Sequence, residues 1–193
     1  YMEKTLWAVL TRTTPAKIQF DVSKAFDGGN NPDNRTFTFR LYKETEEHQL
    51  MEISGAEKTT TIDNLKVRIS DSSLEFRQEG SYIFAIREEA ADDNKMEYDK
   101  NYYIYKFTVV KDEHTLKVSK VEDVISQTAS IPSDAEFSVV YNPSVGDFNK
   151  ENAVTFEEAN NTWTIAKTIA NKIKKDPILP PEPPTPTEPD SIK

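Results

Sequence analysis

The fold is decided by the stretch Phe76-Arg77-Gln78-Glu79-Gly80-Ser81-Tyr82-Ile83-Phe84-Ala85-Ile86-Arg87-Glu88. From Gly80 onward its even positions are Tyr82, Phe84, Ile86 and Glu88, and an apolar period of two in aromatic and β-branched residues is the pattern of a strand with one buried face. The same alternation runs through Lys17 to Phe26, Thr36 to Tyr42 and Asn101 to Val110, where Tyr103, Tyr105, Phe107 and Val109 share a face. Four such runs within the first 120 residues predict an all-β protein, an antiparallel sandwich.

Composition narrows the function before any motif does. The 193 residues carry 24 Lys plus Arg against 33 Asp plus Glu, a net charge of −9, with 36% hydrophobic and 30% charged residues. No apolar run approaches the length of a membrane-spanning helix. An acidic chain without a basic block is a poor ligand for phosphates, so nucleic acid is excluded as a partner. The absence of cysteine removes disulfides, thiolate metal sites and thiol nucleophiles together, and His48 and His114 stand too far apart for a histidine metal site. Neither a cofactor nor a metal is expected. With no histidine, cysteine or glycine-rich phosphate loop beside the carboxylates, an enzyme acting on external substrates is disfavoured.

Outward from the deciding strand, Asp27-Gly28-Gly29-Asn30-Asn31-Pro32-Asp33-Asn34 has the composition of a calcium loop. It lacks the ordered ligand spacing and closing glutamate of an EF-hand, and reads as a turn. Residues 121–161 have sparse apolar positions of mixed period and read as a long insertion with short strands around Phe137 to Tyr141 and Ala153 to Phe156. Ile165, Ile169 and Ile173 would line a strand or a helix face equally; the β-branched Thr164, Ile165, Thr168 and Ile169 favour a strand. Of 11 prolines, 7 fall between Pro177 and Pro189, so residues 176–193 form a separate polyproline II tail after a domain spanning 1–175. At about 3.1 Å per residue that tail could reach roughly 50 Å. At the other end, Leu6 to Leu10 is too short for a signal-peptide core and lacks a small-residue cleavage site, so the chain reads as already mature, with a further edge strand there.

Parity exposes three polar residues on apolar faces. Lys24 shares its face with Ile18, Phe20, Val22 and Phe26; Glu88 shares its face with Tyr82, Phe84 and Ile86; Asn171 shares its face with Ile165, Ile169 and Ile173, as does Lys167. Burial lowers a lysine pKa and raises that of a carboxylic acid, so a buried Lys24 and Glu88 can stand as neutral amine and neutral acid. A neutral amine is a nucleophile. Attack of Lys24 on the Asn171 carboxamide, with protonated Glu88 bonded to the carbonyl oxygen and relaying protons, would expel ammonia and leave an amide cross-link. The protein would then be its own single-turnover substrate.

The stretches Phe37-Thr38-Phe39-Arg40-Leu41, Phe76 to Glu88, and Tyr98-Asp99 followed by Tyr103-Ile104-Tyr105-Lys106-Phe107-Thr108-Val109 resemble the isopeptide-linkage domain of streptococcal-type pilins. That domain carries F-x-F-x-L, then F-x-x-x-G-x-Y-x-Y-x-I-x-E, then Y-D and an alternating strand; the resemblance covers roughly residues 17–110. It implies an immunoglobulin-like sandwich of the Cna-B kind. It also implies a lysine on the first strand, the glutamate of I-x-E and an asparagine on the last strand, here Lys24, Glu88 and Asn171. Ile169 stands where the closing F-x-N motif has Phe, and an alternative alignment of Phe156-Glu157-Glu158 would put Glu158 in place of the asparagine and abolish the bond.

A single such domain followed by a proline-rich stalk resembles a basal, wall-anchoring minor pilin of Gram-positive bacteria. The resemblance implies an extracellular protein at the cell wall surface, joined by a sortase to a shaft pilin and held to peptidoglycan through a C-terminal sorting signal. That signal is not in these residues, since Leu179-Pro180-Pro181-Glu182-Pro183 is not one. The sortase acceptor is expected at Lys150 or Lys167, with Lys150 favoured because Gly146, Asp147, Phe148 and Asn149 precede it. The alternative is a surface adhesin of the same fold that binds a host ligand through residues 121–161.

Overall fold

A computed structural model describes residues 12–146, 153–175 and 183–186. Its strands are β1 (Ala16–Asp27), β2 (Thr38–Glu44), β3 (Leu50–Glu52), β4 (Lys58–Thr59), β5 (Lys66–Ile69), β6 (Glu75–Phe76), β7 (Gly80–Glu88), β8 (Met96–Glu97), β9 (Tyr102–Asp112), β10 (Thr115–Ser126), β11 (Ser138–Tyr141), β12 (Val154–Glu157) and β13 (Thr162–Ile173). They form two sheets. One runs β12-β13-β1-β5, with β6 on β1 and β8 on β13; the other runs β11-β10-β9-β7-β2-β3, with β4 on β2. The all-β sandwich is thus as expected, and the last apolar segment is a strand.

The two sheets face each other through the residues that parity assigned inward. Phe20 of β1 meets Tyr105 and Phe107 of β9 at ring-centroid distances of 5.4 and 6.1 Å. Ile18, Phe20, Val22, Phe84, Ile86, Phe107, Val109, Ile165 and Ile169 all belong to one buried cluster. Between ladders of named strands the pairing is antiparallel except at one place, where β1 and β13 lie parallel with Lys24 opposite Ile169 and Phe26 opposite Asn171. This central parallel pair decides where the site can form. The two strands enter at the same end, where Asn161 turns the chain in a left-handed conformation (φ 48°).

That asparagine closes the end of the sandwich. Its Nδ2 donates to the carbonyls of Pro15 and Leu116, both at 2.8 Å, and its own carbonyl accepts from Lys17 N–H at 3.1 Å. One side chain therefore ties the lead-in of β1 to β10 in the opposite sheet. Asn161→Ala is expected to cost about 3 kcal/mol, from the loss of its hydrogen bonds to the buried Leu116 carbonyl and the part-buried Pro15 carbonyl and from a left-handed residue that alanine does not favour. Asn161→Gly should cost less, because glycine keeps the conformation. Urea midpoints of the two variants check the difference.

The segment read as an insertion resolves into parts. Residues 121–126 continue β10 rather than begin an insertion, and the two short strands appear as β11 and β12. Between β10 and β11 the chain folds over the outer face of the second sheet. Ala129, Ile131 and Phe137 pack there on a second apolar cluster of Leu50, Ala85, Tyr102 and Ile104. The backbone bonds Leu50 N–H to Ala129 O (2.8 Å) and Ile131 N–H to His48 O (3.1 Å) hold it down. The loop at 27–34 is a turn containing a short 3-10 segment, Pro32–Asn34. The expected N-terminal strand at Leu6 to Leu10 and Lys150 lie outside the described residues, as does the tail except for 183–186, which are exposed and without regular structure.

Candidate functional site

Lys24, Glu88 and Asn171 meet at one end of the sandwich core. Lys24 projects from β1, Glu88 from the end of β7 across the gap, and Asn171 from β13 beside β1, each on the inward face of its strand. Because Asn171 pairs with Phe26 in a parallel ladder, it is the diagonal neighbour of Lys24, within reach of a long side chain. The side chains of Lys24 and Glu88 are fully buried, and Asn171 is 0% exposed.

A single carboxyl group spans the other two. Glu88 Oε2 accepts from Lys24 Nζ at 2.9 Å, and Glu88 Oε1 accepts from Asn171 Nδ2 at 3.1 Å. Asn171 Oδ1 accepts from the backbone N–H of Asp99 at 2.8 Å. A backbone N–H can only donate, so this bond settles which end of the carboxamide is oxygen. Glu88 consequently faces both nitrogens, correcting the expectation that it would bond the carbonyl oxygen. Met96 Sδ lies 3.8 Å from the same Nδ2.

Aromatic rings wall the group off from water. Lys24 Nζ stands 5.2 Å from the Phe37 ring centroid and 6.0 Å from that of Phe26. Phe37 in turn packs on Phe26 and on Tyr98. Desolvation pushes the Lys24 ammonium down from the ordinary lysine value, against the opposing pull of Glu88. Desolvation likewise raises Glu88 to about 7, opposed by Lys24 and by the Asn171 hydrogen bond. Both shifts favour a neutral amine beside a neutral acid.

These shifts carry a pH signature in a chain that cannot cross-link. In Asn171→Ala, which also removes the hydrogen bond that opposes the shift, a Glu88 pKa raised above its unfolded value contributes stability that is present at low pH and lost as pH rises from 4.5 through the folded value. A lysine pKa lowered below 10.5 contributes stability lost as pH falls from 10.5 through the folded value. Stability of Asn171→Ala should therefore pass through a trough near neutral pH. Replacing Lys24 and Glu88 by Met and Leu in that background should erase the trough in urea titrations.

The remaining candidates do not join this cluster. Glu158 is exposed in the turn before β13, at the end where Lys17 pairs with Thr162. That is seven residues along β1 from Lys24, roughly 20 Å at the strand rise, so Glu158 does not occupy the asparagine's place. Lys167 sits mid-strand in β13, half-buried, with Nζ 4.3 Å from the Tyr103 ring centroid. Asp99 was not singled out by its side-chain pattern. Its contribution is a main-chain N–H, although the Tyr98-Asp99 pair that positions it was visible as a motif. Among the described residues no group of His, Cys, Asp and Glu could hold a metal.

A family model described as FctA, Spy0128-like isopeptide containing domain, matches residues 20–161, a span that includes Lys24 and Glu88 and ends before Asn171. No curated protein matches the chain. Among solved structures it is similar to an asparagine-to-alanine mutant of the major pilin from Streptococcus pyogenes. The identity is 15% and the TM-score 0.36, over 64% of this chain. The match spans half, 50%, of that pilin's length.

Proposed function

Since the chain belongs to the family of Spy0128-like isopeptide containing domains, we propose that it is a structural subunit of a sortase-assembled Gram-positive pilus, stapled internally by an amide between Lys24 and Asn171. The observation that carries the reading is the single carboxyl of Glu88 bridging the two nitrogens that must exchange a proton. Neutral Nζ attacks Cγ of Asn171, and the carbonyl electron pair moves to Oδ1. Glu88 gives its proton to Nδ2 and takes one from Nζ, so the acid is regenerated. Collapse of the intermediate breaks the Cγ–Nδ2 bond, and one ammonia leaves. No external reactant is consumed. The chain is thus a substrate of its own fold rather than an enzyme, and intact mass tests the bond.

Within the pilus we assign it the basal place, exposed on the cell wall. The proline density of residues 177–189 supports this, as a stiff acidic spacer bearing Glu182, Glu188 and Asp190 suits passage through peptidoglycan. Its partners are then a sortase, the shaft pilin joined to one lysine, and peptidoglycan through a sorting signal. Lys150 remains the preferred acceptor: Lys167 is half-buried in a central strand and engaged with Tyr103. Peptide mapping of a sortase-joined product should find the branch at Lys150; a branch elsewhere overturns that assignment alone. The adhesin alternative draws less support, because part of the segment it would use is committed to covering the protein's own sheet.

A further inference from the structure

The proposed cross-linking needs a group to hold the negative charge that forms on Asn171 Oδ1, and Glu88 faces the wrong end of the carboxamide to supply it. We propose that the backbone N–H of Asp99 is the oxyanion donor for amide formation, and that the Asp99 carboxylate and Tyr103 hydroxyl are the device that positions it. This rests on the Lys24–Asn171 reading above.

Geometry supports the donor directly. The Asp99 N–H lies 2.8 Å from Oδ1, inside the range in which preorganised donors act on a developing oxyanion. It is a main-chain group, so it cannot swing away as charge builds. Its orientation is over-determined by the Asp99 side chain. Asp99 Oδ1 accepts from Asn101 N–H at 2.9 Å, and Asp99 Oδ2 accepts from the Tyr103 hydroxyl. Tyr103 is itself anchored in β9 opposite Ile86, two residues before Glu88 on β7. The same strand pair therefore sets both the proton carrier and the oxyanion donor.

The Asp99 carboxylate is also a negative charge near a developing one, which by itself opposes the reaction. Its two hydrogen bonds direct its lone pairs toward Asn101 and Tyr103, leaving the N–H side to face Asn171. The charge acts on both partners of the pair, adding to the forces that keep Glu88 protonated and ready to donate while opposing the loss of the Lys24 proton.

The test is the rate of ammonia loss, followed by intact mass after a pulse of cell-free synthesis of the full chain. Asp99→Pro, which deletes the N–H, should slow bond formation at least about 100-fold, the effect of removing one oxyanion donor. Tyr103→Phe should slow it about tenfold, and Asp99→Asn, which keeps both the N–H and the turn-forming oxygen, should stay within a few-fold of wild type. Val118→Ala, a buried substitution in β10 away from the site, controls for stability. It should react at the wild-type rate even when its urea midpoint, compared in the Asn171→Ala background, is lowered as far as that of Tyr103→Phe. The fluorescence of Trp163, buried in the core, reports whether Asp99→Pro folds. If it does not, Tyr103→Phe against the Val118→Ala control decides. Wild-type rates in folded Asp99→Pro or in Tyr103→Phe would overturn the proposal, as would an Asp99→Asn chain that fails to react. Wild-type protein that never loses ammonia would instead remove the cross-linking reading itself.

Discussion

Wild-type protein should weigh one ammonia less than its sequence, and Lys24→Ala, Glu88→Gln and Asn171→Ala should each restore the full mass. The loss of the link should also lower stability by about 5 kcal/mol, taking the entropy of closing the loop between positions 24 and 171 as for a disulfide. That is a large part of the whole stability of an ordinary domain. The physical reason is that β1 and β13 sit at opposite ends of the described sandwich in sequence yet lie side by side. A covalent tie between them closes a loop of nearly the whole sandwich and so lowers the entropy of the unfolded chain. In a protein without cysteine such a tie would take the role of a disulfide. Urea denaturation of Asn171→Ala beside wild type measures the difference. Full sequence mass in the wild type would show that no bond forms.

A still larger effect is expected from Glu88→Ala. This change prevents the bond and also strands Lys24 among Phe26 and Phe37 with no carboxylate partner. Leaving a buried polar group without its hydrogen-bond partner typically costs about 1–3 kcal/mol, in addition to the lost link. The cost arises because the remaining group has been taken out of water without compensation. Removing both polar groups should relieve it: Lys24→Met combined with Glu88→Leu should be more stable than Glu88→Ala alone, although neither protein can cross-link. Equal urea midpoints for the two would mean that the buried lysine finds another partner. Together these variants separate the entropic contribution of the bond from the electrostatic cost of assembling its precursors.

Sequence alone determined which side of each strand faces inward, and hence which residues do not belong there. A period of two assigns every residue of a strand to a face, so Lys24 among Ile18, Phe20, Val22 and Phe26, and Glu88 after Tyr82, Phe84 and Ile86, stood out as polar groups on buried faces. Asn171 was marked by the same parity once its segment was read as a strand. Lys167 was marked equally, and parity could not distinguish the two. Tertiary structure separated them, because the parallel register of β1 and β13 sets Asn171 one diagonal step from Lys24 and leaves Lys167 against Tyr103. Alternation also left Ala85 and Ile104 on a solvent face, whereas residues 129–137 fold back and cover them. Periodicity records the face of a strand but neither its neighbour nor what lies over its other side. The orientation of the Asn171 carboxamide was beyond the sequence for a further reason: its deciding partner is the N–H of Asp99, a group common to every residue but proline, placed only when the chain between β8 and β9 is folded against β13.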